Sequence, residues 1–82
     1  MEVNFEKLLT DLVTPLVVHL DDVVVKMLSE DEDGIVMQIL VNQDDLGRVI
    51  GKNGKIANAI RTIAYASATR TGKRIIINID AF

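Results

Sequence analysis

The stretch Gly47-Arg48-Val49-Ile50-Gly51-Lys52-Asn53-Gly54-Lys55-Ile56 decides the reading of this chain. It sets a Gly-x-x-Gly turn, Gly51 to Gly54, directly ahead of a long segment with helical periodicity. Glycine at both ends lets the chain turn sharply and lets another backbone come close, because no Cβ intervenes. The helix that follows offers unpaired N–H groups and the positive end of its dipole to an anion. Lys52 and Asn53 occupy the tip, where a cation and an amide reach phosphate oxygens. The arrangement suits holding a sugar-phosphate backbone against the start of a helix.

Downstream of the turn, Ile56, Ile60, Ile63 and either Ala64 or Ser67 fall on one helical face, while Lys55, Asn58, Arg61 and Thr62 point away. Thr71-Gly72 ends that helix, and Arg74 to Asp80 reads as a final strand with Ile75, Ile77 and Ile79 on one side. Upstream, Asn42-Gln43-Asp44-Asp45 supplies an N-cap, with Asp44 as the capping residue, for a short helix from Asp45 to Ile50 that Gly51 stops. Val23 to Ser29 and Ile35 to Asn42 are β-branched runs around Glu30-Asp31-Glu32-Asp33-Gly34, a β-hairpin with a solvated acidic tip. Phe5, Leu8, Leu9, Leu12, Val13 and Leu16 recur at amphipathic helical spacing. Pro15 interrupts them. Either the helix kinks there or it restarts with Thr14 as N-cap and Pro15 at the first position, and the sequence does not choose. The order is α-β-β-α-α-β, one α+β domain over residues 1–82 with a three-stranded sheet and helices on one face.

The 82 residues include no cysteine, which excludes disulfides and thiolate sites and fits a reducing cytoplasm. The acidic N-terminus is unlike a signal peptide, and no apolar run spans a bilayer, so a soluble cytoplasmic domain is expected. The net charge of −3 hides an asymmetry: residues 1–45 carry −9 and residues 46–82 carry +6, so the positive charge gathers around and after the glycine turn. A nucleotide P-loop is rejected, since only three residues separate Gly47 from Gly51 and Asn53 stands where a Ser or Thr would hold Mg²⁺. Asp31-Glu32-Asp33-Gly34 lacks the ligand spacing of a calcium loop. His19 is the lone histidine, so no metal site or cofactor is expected, and no nucleophile–base set suggests an enzyme.

The string Asp45-Leu46-Gly47-Arg48-Val49-Ile50-Gly51-Lys52-Asn53-Gly54-Lys55-Ile56-Ala57-Asn58-Ala59-Ile60-Arg61-Thr62-Ile63, between a hairpin and a last strand, resembles the KH domain. With the extra helix and strand on the N-terminal side, the whole is similar to the type II version and to the small bacterial KhpA family. That resemblance implies a type II KH fold and non-catalytic binding of single-stranded RNA, the Gly-x-x-Gly loop clamping about four backbone nucleotides. By position, Gly51, Lys52, Asn53 and Gly54 form the clamp, Arg48 and Lys55 are adjoining cations, and Val49, Ile50 and Ile56 line the groove under the bases. It also implies an RNA chaperone or post-transcriptional regulator that forms homodimers or pairs with a KhpB (Jag-type) KH protein in cell-shape regulation. The competing reading is a protein-interaction subunit whose glycine turn is structural, motivated by the apolar run Leu16, Val17, Val18 and Leu20 after Pro15.

Overall fold

Asn4 starts the first element. In the computed structural model, which describes residues 3–82, its Oδ1 accepts from Lys7 N at 3.0 Å and opens helix α1, Phe5–Val13. Phe5, Leu9 and Val13 are the buried stripe of α1. Neither a kinked long helix nor a restarted α-helix follows. Thr14–Leu16 instead tighten into a 3₁₀ turn with Pro15 inside it, and Val17 is already extended. The missing proline N–H thus falls where the α-helical ladder is given up.

Strands β1 (Val24–Glu30) and β2 (Gly34–Val41) form the expected antiparallel hairpin, with a register irregularity between Met27 and Ser29. The acidic tip has a local purpose: Asp31 Oδ1 accepts from Asp33 N and Gly34 N at 2.8 and 2.9 Å, closing the turn through a side chain. A 3₁₀ turn over Gln43–Asp45 leads into helix α2, Leu46–Ile50. Its capping residue is Asn42, whose Oδ1 accepts from Asp44 N at 2.8 Å. The expectation that Asp44 caps is corrected: Asp44 is exposed, 3.9 Å from His19 Nε2. Helix α3 runs Lys55–Arg70, ends at Thr71 with Gly72 in the left-handed region, and returns the chain to β3, Arg74–Ala81.

The sheet order is β1-β2-β3, β3 lying parallel to the central β2. In β2, Ile35, Met37, Ile39 and Val41 are buried, and they stand level with Ile75, Ile77, Ile79 and Ala81 of β3. On the other face, Lys26, Ile76, Asn78 and Asp80 are exposed. The helices therefore cover one face, an α+β architecture with a mixed three-stranded sheet that agrees with a type II KH fold.

The sequence misjudged one helical face. Ile63 is 44% exposed, and the stripe of α3 that meets the core is Ala57, Ile60, Ala64 and Ala68. Small side chains let α3 lie close to the layer beneath, so alanines rather than the bulkiest residues set its rotation.

Candidate nucleic-acid interface

The turn is shaped by three departures from ordinary backbone within four residues. Gly51 ends α2 at φ 75°, ψ 173°, its N–H donating to Gly47 O at 2.9 Å. Asn53 has φ 58°, ψ 25°, and Gly54 has φ 74°, ψ 14°. Asparagine is among the few residues other than glycine that enter the left-handed region readily. The glycines differ in what holds them. A Cβ on Gly51 would sit 2.6 Å from Ile56 Cγ1, so the first turn of α3 packs directly on that position. A Cβ on Gly54 would meet only Asn58 Nδ2, at 3.9 Å.

This backbone turns Lys52 and Asn53 into solvent, with Gly51 and Gly54 half-buried beneath them. No side chain caps the start of the 16-residue α3, so its dipole end faces the turn without a carboxylate in front of it. Lys52 and Lys55 are exposed and, among the described residues, form no ion pair within 4.0 Å. Arg48 is exposed one turn earlier, its Nε 3.8 Å from Asp45 Oδ1. The turn lies outside two recesses of about 530 and 510 Å³, which involve Phe5 and Lys73 in one and Asp22 and Phe82 in the other. What it offers is an exposed, donor-rich bend.

Of the three aliphatic residues expected to line a groove, Ile50 and Ile56 are half-buried beside the turn. Val49 is 0% exposed and belongs to the core, which removes it from any surface a ligand touches. It follows the α2 face that must pack inward, a rotation that the five-residue helix is too short to reveal in sequence.

Two residues near the turn escaped the sequence reading. Asp45 is 1% exposed, the sole buried charged residue among those described, and its two oxygens accept from Val18 N at 3.1 Å and His19 N at 2.9 Å. Burial raises the pKa of this carboxyl, but the His19 and Val18 N–H groups, with the nearby His19 and Arg48 charges, outweigh it and hold the value below the ordinary one. Asp45 thereby fastens the segment before β1 to the head of α2. Arg61, expected to point away, instead reaches from α3 to β3, where its Nε and one terminal nitrogen both donate to Ile77 O at 3.3 and 3.2 Å. That carbonyl lies on the free edge of the sheet. Arg74 N donates to Asp33 O and Phe82 N to Val41 O, so even-numbered residues of β3 turn their main chain to β2 and odd-numbered ones turn it outward.

Comparison with known proteins gives the following. The family described as KhpA/KhpB, KH domain, matches residues 6–79. The chain is 44% identical over 72 residues to the RNA-binding protein KhpA of Oceanobacillus iheyensis, covering 88% of this chain and 95% of that one. It is 42% identical over 74 residues to KhpA of Listeria monocytogenes (90% and 96%) and 39% identical over 72 residues to KhpA of Bacillus subtilis (88% and 88%). Its fold is similar to 33% of the chain in a crystal structure of an Aquifex aeolicus Era variant bound to GDP and AlF4⁻. That match has a TM-score of 0.68 and covers 100% of this chain at 16% identity.

Proposed function

The chain belongs to the KhpA/KhpB family of KH domains, and from that premise we propose that it binds single-stranded RNA without catalysis, the Gly51–Gly54 turn serving as a backbone clamp. One observation carries the reading: exposed Lys52 and Asn53 are held at the uncapped start of α3 by a backbone that bends through Gly51, Asn53 and Gly54. Main-chain N–H groups and the helix dipole favour a phosphate there, and Lys52, Lys55 and Arg48 add positive charge around it. Ile50 and Ile56 supply the apolar contact for a base beside the clamp. The names of the relatives, each an RNA-binding protein, support the same ligand.

The test is an NMR titration with short single-stranded RNAs against the parent and a Lys52→Asp/Asn53→Asp double variant. Both side chains face solvent, so the variant keeps the parent's dispersed spectrum. The expected outcome is loss of the RNA-induced shifts at residues 48–58.

The same proposal includes a cytoplasmic role as an RNA chaperone or post-transcriptional regulator, with self-association or pairing with a KhpB-type protein. Val18 and Leu20, 65% and 58% exposed, give apolar surface for such contacts, while Leu16 and Val17 pack against the core. Sedimentation at several concentrations checks the self-association.

A further inference from the structure

We infer that the open face of the sheet is where two copies of this chain associate, related by a two-fold axis that runs along β2. The inference rests on the self-association proposed above and deepens it by assigning the surface, and the RNA clamp does not depend on it.

The helices cover one face of the sheet only. On the other, Lys26 of β1 is level with Gln38 of β2 and Asn78 of β3, and Asp80 lies one side-chain row further along β3. Lys26 and Asp80 are exposed, and among the described residues neither has an ion-pair partner within 4.0 Å. They do not meet within one chain, because two strand spacings and one row hold them about 12 Å apart. Toward the hairpin tip, Val36 of β2 is level with Ile76 of β3, and alternation from Lys26 puts Leu28 of β1 on the same face. Ile76 is 57% exposed and Leu28 50%. A recess of about 230 Å³ opens beside Ser29, Val36, Arg74 and Ile76.

A half-turn about β2 sets β1 of each copy over β3 of the other and keeps the strands aligned, as stacked sheets require. Lys26 then lies over Asn78 of the second copy, one row from that copy's Asp80, a gap the lysine stem spans. Leu28 comes over Ile76 of the second copy and its recess. Gln38, on the axis, faces its own counterpart, and a carboxamide carries both donor and acceptor. An unrelated partner would have to present an acid over β1, a base over β3 and apolar groups over the same two edges. This face supplies all of them to itself. Three strands about seven residues long offer a patch of about 14 by 23 Å. That falls short of the roughly 800 Å² per partner of a standard interface, so the dimer is weak, with a dissociation constant of about 10–100 µM. The Gly51–Gly54 turn joins helices of the opposite layer, so each copy keeps its clamp free.

The experiment is sedimentation velocity of the full chain from about 5 to 500 µM, a range that brackets the expected dissociation constant. The parent is expected to pass from monomer to dimer across it. Lys26→Asp and Asp80→Lys each set like charges against one another at two symmetry-related places, and each should weaken the dimer about fivefold or more. The Lys26→Asp/Asp80→Lys double variant restores opposite charges and should return to within about twofold of the parent. Because the two positions are too far apart within one chain, that restoration reports pairing between copies. Ile76→Lys should leave a monomer over the whole range, and all of these side chains are exposed, so the fold is kept. Single variants that dimerise as the parent does, or a double variant no tighter than the singles, overturn this face while leaving self-association standing. A parent that stays monomeric throughout overturns both.

Discussion

Gly51 and Gly54 both have positive φ, yet they resist substitution to different degrees. Gly51 lies at φ 75°, ψ 173°, a region nearly closed to other residues, and a Cβ there would collide with Ile56 at 2.6 Å. Gly51→Ala should therefore cost about 2–5 kcal/mol, combining backbone strain with displacement of Ile56. Gly54→Ala meets no close atom and should cost only the left-handed penalty of about 1–2 kcal/mol. Gly47 lies within α2 with nothing within 4 Å of an added Cβ, so Gly47→Ala should stabilise by about 0.5–1 kcal/mol. Urea midpoints at unchanged slope give the order directly. The motif itself was legible because Gly-x-x-Gly before a periodic segment demands a particular backbone. The contact that makes Gly51 stricter than Gly54 was not, since it depends on where the first turn of α3 comes to rest.

At the scale of elements, α2 is held from two sides. Asp45 ties its head to the Val18–His19 segment, and Gly51 ends it. Because the Asp45 carboxyl is held below its ordinary value of 3.8, the folded state favours its ionised form. Its contribution to stability is fully present above that ordinary value. It is lost as pH falls below 3.8 and through the lower folded value. Thermal unfolding from pH 6 down to pH 2 should show an acid loss of stability for the parent. For Asp45→Asn that loss should be shallower, from a lower starting stability at pH 6. The hairpin, the three helices and β3 were readable because each has its own periodicity and its own stop signal. Asp45 and Arg61 were not, because their partners are 26 and 27 residues away in one case and 16 in the other, and nothing local announces them. The Ile63 face failed for a related reason. Ile60 belongs to both candidate stripes, and only contact with the sheet shows that the alanine stripe packs.

For the whole molecule, the charge pattern separates a negative first half from a positive second half, and Arg48, Lys52 and Lys55 in the positive half gather at the turn. A clamp that neutralises three or four phosphates should give a log–log salt slope of about −2 to −3 for single-stranded RNA. A chain held instead by contacts to the bases alone should give a slope near zero, and anisotropy at several KCl concentrations distinguishes them. Most of the acidic half acts only at long range, and among the described residues only Asp45 comes within 4.0 Å of a cation at the turn, Arg48, so an overall charge of −3 does not by itself oppose local binding. The most direct measurement compares the affinity of one short single-stranded RNA for the parent and for Lys52→Asp/Asn53→Asp, with unfolding curves recorded on both. The account requires matching stability and loss of binding in the double variant. Equal affinity for the two proteins would contradict it.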